Sequence, residues 1–355
     1  MSEKIKVAII GCGTIATSAH MPGYKANADI AQVKYFCDII PERAVKLRDA
    51  YGSGEVVVDY HDILDDPEIT CVSVCTPNYV HAPIAIDFLR HGKHVLCEKP
   101  AAITADKALE MKKAADETGN TLNIGVCNRF KNDIIKVQEI IESGELGDIY
   151  HVYCSFRAFR SIPGLGGPFT TKSMAGGGAL IDWGVHFLDL IMYCINQPKV
   201  KTVSAECYSI LGKEMEGYTY TSMWAGPPDY SGTYDVEEFC TGLIRTEGPS
   251  ITMNGAWAQN IFEDAMFIEF LGTKGGIKLN YYGGFTIYGT KNGMLTETKI
   301  SQQPNNMYDD EIRDFLIKAP QGIKTKANID NALITSQLME QIYQSAQEHR
   351  ELVVG

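Results

Sequence analysis

The run Lys4-Ile5-Lys6-Val7-Ala8-Ile9-Ile10 leads straight into Gly11-Cys12-Gly13-Thr14-Ile15-Ala16, and this junction limits the possible fold more than any other feature. An apolar run closed by a glycine turn, with a helical pattern toward Lys25 behind it, is how a doubly wound α/β domain opens. Gly11 permits the tight turn, Gly13 lets backbone approach a pyrophosphate, and Ala16 keeps the helix close to the sheet. With Cys12, Thr14 and Ile15 they form a helix N-terminus whose free N–H groups and partial positive charge suit an anion. The next apolar run, Ala31–Asp38, ends on Asp38, 22 residues after Ala16. There an acidic residue accepts hydrogen bonds from the adenosine ribose hydroxyls; a turn residue at a strand end is the plainer alternative. An aspartate at that place repels a 2′-phosphate, so NAD is expected rather than NADP. Arg43, one helical turn further on, is either a solvated helix residue or a partner for that phosphate.

The rest of the first third keeps the rhythm. Short strands are predicted at Val56–Val58, Thr70–Cys75, His94–Cys97 and Thr121–Cys127. Helices are predicted at Pro41–Tyr51, Val80–His91 and Thr104–Thr118, the last with Thr104 as its cap. Strict alternation implies a parallel sheet covered on both faces. Past residue 130 the pattern changes. Helices are expected at Ile134–Ile141 and Ala179–Tyr193, a strand at Ile149–Phe156, many strands across Val200–Tyr288, and closing helices at Asp309–Ile317 and Ala332–His349. The expectation is therefore an α/β fold in two domains. A Rossmann doubly wound parallel sheet occupies 1–127, and an α+β domain with a large, mostly antiparallel open sheet occupies 128–355, its closing helix free to return to the first domain. An open sheet hides one face, so a homo-oligomer (dimer or tetramer) is expected. The apolar positions around Phe267-Ile268-Glu269-Phe270-Leu271 are the candidate surface.

Totals narrow the function. The net charge of −12 argues against a nucleic-acid partner. No stretch approaches the roughly 20 apolar residues of a membrane helix, and the N-terminus enters a strand too early for a signal peptide. The ten cysteines are scattered, without zinc spacing, and read as reduced core residues, so a cytoplasmic protein without a metal is expected.

Four separated segments carry a resemblance: Gly11–Ala16; Thr76-Pro77-Asn78 with His81; Glu98-Lys99-Pro100; and Gly176-Gly177-Gly178 leading into Asp182-Trp183-Gly184-Val185-His186. In order and approximate spacing they resemble the Gfo/Idh/MocA oxidoreductases, the family of glucose–fructose oxidoreductase and inositol dehydrogenase, along nearly the full length. The resemblance implies a nicotinamide cofactor and a sugar or polyol substrate. It makes Lys99 and His186 catalytic, has Asp182 bind substrate, lays Thr76, Pro77, Asn78 and His81 along the cofactor, and suggests a cis Lys99–Pro100 bond.

The residues support chemistry in their own right. Lys99 follows a strand end, where ligands of doubly wound sheets bind, and Pro100 restricts its backbone; an ordinary loop lysine is the alternative. Asp182 and His186, four apart, share a helix face, either as a helix-stabilising pair or as a site, with Gly184 leaving space for a flat ring. The triple glycine is wasteful unless close approach or mobility is needed. Glu98 either contacts the nicotinamide ribose or makes a loop salt bridge. Arg129, after the sixth strand, is a candidate to face the substrate; the resemblance points Tyr153, Arg157 and Arg160 toward the same entrance, with sheet packing the simpler role for Tyr153. Tyr218–Tyr234, with Tyr220, Trp224 and Tyr230, could stack on sugar or meet another subunit. The activity expected is reversible hydride transfer from a ring hydroxyl of a sugar, glycoside or cyclitol. The rivals are an NAD-dependent glycosidase that oxidises transiently and a non-catalytic sugar sensor.

Overall fold

The structure, a computed structural model, describes residues 3–354. Its contacts divide the chain into two compact units, Met1–Phe130 with Asn306–Leu333, and Lys131–Asn305 with Ile334–Gly355.

The first unit holds β1 (Ile5–Ile10), β2 (Ala31–Cys37), β3 (Glu55–Val57), β4 (Ile69–Val74), β5 (His94–Cys97) and β6 (Leu122–Ile124). They form a six-stranded sheet in the order β3-β2-β1-β4-β5-β6, every pairing parallel. The strand order reverses between β1 and β4, and the loops leaving β1, β4 and β5 all emerge at the carboxyl edge, where such sheets bind ligands. In β1 both faces are buried. Ala8 and Ile10 pack with the helices His81–Arg90 and Ala105–Thr118, whereas Val7 and Ile9 face the helices Pro41–Tyr51 and Met307–Lys318. That is why the strand reads as a continuous apolar run. Thr104 caps its helix as expected, accepting from Lys107 N–H.

The boundary differs from the sequence expectation of a continuous second domain from 128. Residues 306–333 return to the first unit, because Ile312, Phe315, Leu316 and Ala319 fill the core on the β1–β2 face. An amphipathic helix shows which of its faces is apolar, not which sheet receives it. The sixth strand is also shorter than expected, since Cys127–Phe130 coils into a 3₁₀ turn.

In the second unit lie β7 (Ile149–Arg157), β8 (Val200–Tyr208), β9 (Phe239–Thr246), β10 (Ser250–Ala256), β11 (Ala265–Gly272), β12 (Gly275–Asn280), β13 (Phe285–Lys291), β14 (Met294–Ile300) and β15 (Leu352–Val353). Their nine-stranded sheet runs β14-β13-β12-β11-β7-β10-β9-β8-β15, antiparallel except for the β7–β10 pair. Val152, Cys154 and Phe156 of β7, with Ile268 and Phe270 of β11, pack against the helices Asn132–Glu142 and Val185–Cys194 and against Leu338, Met339 and Ile342. Alternation sends Tyr153, Phe267, Glu269 and Leu271 to the opposite face, where they are half-buried or exposed. Among the described residues no helix is long and apolar enough to cross a membrane.

Candidate active site

The first unit brings three loops to the edge of its sheet. Gly11 has φ +87°, and a Cβ there would lie 2.7 Å from the Cys75 carbonyl, so the turn requires glycine. At Gly13 a Cβ would meet nothing within 4 Å, which leaves open space ahead of the helix that starts at Thr14. Cys12 takes a part that the motif does not announce. Its N–H donates to Asp38 Oδ2 at 2.8 Å while Ile40 N–H donates to Asp38 Oδ1 at 2.8 Å. The Asp38 carboxylate is thus pinned to the glycine turn and keeps about half of its roughly four lone-pair positions for a ligand. Burial, reinforced by Asp38 and Cys37, pushes the Cys12 thiol up to about 12, so it stays an inert core group. Arg43 is exposed on its helix, as are Thr14 and Pro77, while Asn78 is half-buried. Thr76 Oγ1 is buried and lacks a hydrogen-bond partner. The open cradle at Gly13, the unanswered Thr76 hydroxyl and the spare acceptors of Asp38 fit a dinucleotide.

Around Lys99 the structure is tightly tied. The Lys99–Pro100 peptide is cis, as the resemblance suggests, and Lys99 is half-buried. Glu98 pairs not with a loop residue but with the buried His20, at the end of a buried chain. Tyr24 OH lies 2.7 Å from Ser73 Oγ, Ser73 Oγ 3.1 Å from His20 Nδ1, and His20 Nε2 2.9 Å from Glu98 Oε1. The other carboxylate oxygen accepts from Lys99 N–H at 3.1 Å. Burial pushes Glu98 up, but the His20 bond and the nearby positive charges of His20 and Lys99 outweigh it and hold the carboxyl below its ordinary range. Gly125 makes room, since a Cβ there would sit 3.1 Å from the Glu98 carboxyl.

His81 has a different role from the expected cofactor contact. Its ring is fully buried, with Nδ1 2.8 Å from Pro100 O and Nε2 2.8 Å from Thr76 O, so it ties the Thr76 loop to the Lys99 turn and has no surface left for a ligand. Arg129 is also fully buried, donating to Lys326 O at 2.7 Å and so holding the returning segment rather than lining an entrance.

In the second unit Asp182 lies in a π-helical turn, Leu180–Gly184, that continues as the helix Val185–Cys194 bearing His186. Its i→i+5 bonding widens the turn and brings residues four apart nearer to one line than a regular helix does; such segments recur at functional sites. Trp257, fully buried, donates its indole N–H to Asp182 Oδ2 at 3.3 Å. The His186 ring lies 6.5 Å from that of Tyr281, which stacks on Phe187. Gly184 does not leave space for a flat ring: a Cβ there would meet Leu180 Cδ1 at 2.8 Å and Phe156 Cζ at 3.1 Å, so core packing occupies that place.

Tyr153 and Arg157 stand on the sheet face opposite Phe156, which packs beneath the Asp182 helix; Tyr153 meets His151 edge-on and Arg157 Nε donates to Ser155 Oγ. Arg160, in the left-handed region, lies over the Tyr218 ring at 5.4 Å. Tyr218 is buried and stacks with Tyr220, whereas Trp224 meets Phe169 edge-on; Tyr220, Trp224 and Tyr230 stay exposed.

Comparison with known proteins agrees with this geometry. Residues 5–126 match the family described as an oxidoreductase family with an NAD-binding Rossmann fold, and residues 134–278 match the GFO/IDH/MocA C-terminal domain. D-glucoside 3-dehydrogenase of Escherichia coli (strain K12) is 32% identical over 351 residues, 98% of this chain and 96% of that one. The chain belongs to the Gfo/Idh/MocA oxidoreductase family. As a member, it is an NAD(P)-dependent oxidoreductase acting on CH–OH groups. An NADP-dependent scyllo-inositol 2-dehydrogenase of Bacillus subtilis (strain 168) is 30% identical over 57% of this chain and 55% of that one. Levoglucosan dehydrogenase in complex with NADH shares the fold, with TM-score 0.86 at 21% identity over 99% of this chain and 100% of that one.

Two residues of this Gfo/Idh/MocA protein leave no motif in the sequence. His20 is 78 residues from Glu98, and Trp257 is 75 from Asp182; only the fold joins them. The His20–Glu98 pair is testable through stability. Removing His20 leaves one oxygen of a buried carboxylate without its donor, so His20→Ala is expected to cost about 1–3 kcal/mol at pH 7 in chemical unfolding. Because the folded carboxyl is held below its ordinary value, this contribution is present above about pH 4.3 and fades as pH falls further. A loss under about 1 kcal/mol, the worth of an exposed pair, would contradict the assignment.

Proposed function

We propose that this protein oxidises a ring hydroxyl of a sugar, glycoside or cyclitol, and specifically the 3-hydroxyl of a D-glucoside, with NAD as cofactor. The observation that carries the reading is the Asp182 carboxylate on the widened helical turn, fixed by the buried indole of Trp257, with His186 in the first turn of the helix that continues it. The 32% identity to the D-glucoside 3-dehydrogenase over 98% of this chain supports the choice of substrate.

The turn at Gly11, Gly13, Thr14 and Ile15, Asp38 and the Thr76 loop would hold NAD, which would supply the hydride acceptor. His186 takes the hydroxyl proton as the carbon loses its hydride. Lys99, as an ammonium, donates to the same oxygen and stabilises the developing alkoxide. Asp182 accepts a hydrogen bond from a neighbouring hydroxyl and so fixes which carbon reacts. Reduction follows the same path in reverse.

The kinetic test uses NAD, a panel of glucosides and the variant His186→Ala. Wild-type protein should accumulate NADH, at a rate that rises with pH as the histidine base loses its proton. His186→Ala should lower turnover by roughly 10²–10⁴-fold with the affinity for NAD nearly unchanged. Near-normal turnover in the folded variant would place the proton elsewhere. Glucoside cleavage without net NADH would point to the glycosidase chemistry, and sugar binding without turnover to a sensor.

Cofactor choice has its own readout. Asp38, an acidic residue at the end of β2, would accept from the ribose hydroxyls and repel a 2′-phosphate, so NAD should bind more tightly than NADP by about 1–3 kcal/mol in calorimetric titration. Equal affinities would assign the phosphate to Arg43.

We also propose that the outer face of the nine-stranded sheet, with Tyr153, Phe267 and Leu271 beside the Lys278–Glu269 ion pair, meets a second copy of the chain. Light scattering at micromolar concentration should give a dimer or tetramer; a monomer alone would refute this.

A further inference from the structure

The three glycines ahead of Asp182 have a physical reason that lies outside their own segment. Gly176 ends the short helix Lys172–Ala175 in the left-handed region at φ +91°. Gly177 and Gly178 serve close approach. A Cβ on Gly177 would lie 2.1 Å from the Tyr343 hydroxyl oxygen, and one on Gly178 would lie 1.9 Å from the Glu237 carbonyl oxygen. Both clashes are prohibitive, so any side chain there would push these two residues away.

What the glycines admit is the Tyr343 hydroxyl and the Glu237 backbone, which lets the Glu237 carboxylate reach the start of the Asp182 helix. Glu237 Oε2 accepts from Gly178 N–H at 3.0 Å, and Oε1 accepts from Leu180 N–H at 3.0 Å and from Tyr343 O–H at 2.8 Å. The Glu237 backbone carbonyl accepts from Ala179 N–H at 3.0 Å. Three successive N–H groups that a helix start leaves without partners are thereby all met by one residue. A negative charge at this end also suits the helix dipole. Glu237 is 7% exposed, and burial together with the Glu237 charge pushes the Tyr343 hydroxyl well above its usual range, so that it stays a donor. Asp182 N–H in turn donates to Gly178 O at 3.0 Å, which ties the reactive turn directly to the clamped residue.

We propose that Glu237, braced by Tyr343, is the positioning residue of the substrate-binding helix: it fixes the backbone from Gly178 to Leu180 and through it the placement of Asp182 and His186. The helix does not otherwise need so expensive a cap. A serine or aspartate at its own N-terminus is the usual cap and meets one of these groups, whereas here a buried glutamate comes from 57 residues away, just ahead of β9. A remote anchor ties the helix to the sheet rather than to its own preceding loop. Positional error of about 1 Å at a reacting group can cost roughly 100-fold in rate, which is the scale of benefit such an anchor offers.

The kinetic arm of the test rests on the dehydrogenase reading; a second arm does not. Glu237→Gln keeps the shape but leaves one acceptor oxygen for three donors, and Tyr343→Phe removes only the brace. Hydrogen exchange of peptides spanning 176–186 requires no substrate. In Glu237→Gln the exchange there should quicken by at least about tenfold, and in Tyr343→Phe by less. With NAD and a glucoside, kcat per NAD-binding site should fall roughly 10- to 100-fold in Glu237→Gln, with the Kd for NAD unchanged. Unaltered exchange in both variants overturns the proposal. So does faster exchange with unaltered kcat per NAD-binding site, because the pair would then serve stability alone. If Glu237→Gln does not fold, Tyr343→Phe decides by the same two readouts. If wild-type protein oxidises no sugar, the proposed function fails while the exchange result still decides whether the clamp exists.

Discussion

A carboxylate removed from water must be met by hydrogen-bond donors, and much of this structure is arranged around meeting three of them. Asp38, Glu98 and Glu237 are each buried, and each is answered in part by backbone N–H groups of a functional loop or helix start. The exchange works in both directions. The charge is compensated, and the loop that compensates it loses its freedom. Asp38 ties β2 to the glycine turn, Glu98 ties the Lys99 backbone to the buried His20–Ser73–Tyr24 chain, and Glu237 ties the Asp182 helix to the sheet. Side chains that must act at a defined place are held by partners that cannot be given up without exposing a buried charge.

The glycines follow from the same demand. Carboxylates and rings can approach a backbone this closely only where no Cβ stands in the way. Gly125 admits Glu98, Gly178 admits Glu237, and Gly177 admits Tyr343. Gly11 is required both by its left-handed backbone and by the neighbouring Cys75 carbonyl. Around Asp182 this gives a closely packed backbone, which is what the proposed selection of one hydroxyl would require.

Much of this is legible in the sequence, and what is not has a common cause. The strands of the first unit show because burial on both faces makes each a continuous apolar run, and His94–Cys97 falls where the pattern puts it. The Lys99, Asp182 and His186 positions show because turns, proline and glycine mark the backbone around them. Packing partners do not show. The helix Met307–Lys318 is plain as an amphipathic pattern, yet nothing in it says that Ile312 and Phe315 belong to the first unit. Gly184 announces that bulk is unwelcome but not that Phe156 is the reason. His81 sits in a motif along the cofactor loop, and only the fold shows both ring nitrogens turned to the Pro100 and Thr76 carbonyls. His20, Trp257 and Glu237 are ordinary residues in sequence, and their roles arise from partners dozens of positions away.

The central claim is that hydride leaves a ring carbon of a sugar while this protein holds the adjoining oxygen. Isotope transfer tests it most directly. A glucoside carrying deuterium on carbon 3 would be mixed with protein and NAD, and the reduced nicotinamide examined by mass spectrometry and NMR. Deuterium should arrive on the nicotinamide ring, and a 3-keto glycoside should form in equal amount. Reduced cofactor without the label, or a product oxidised at another position, would contradict it.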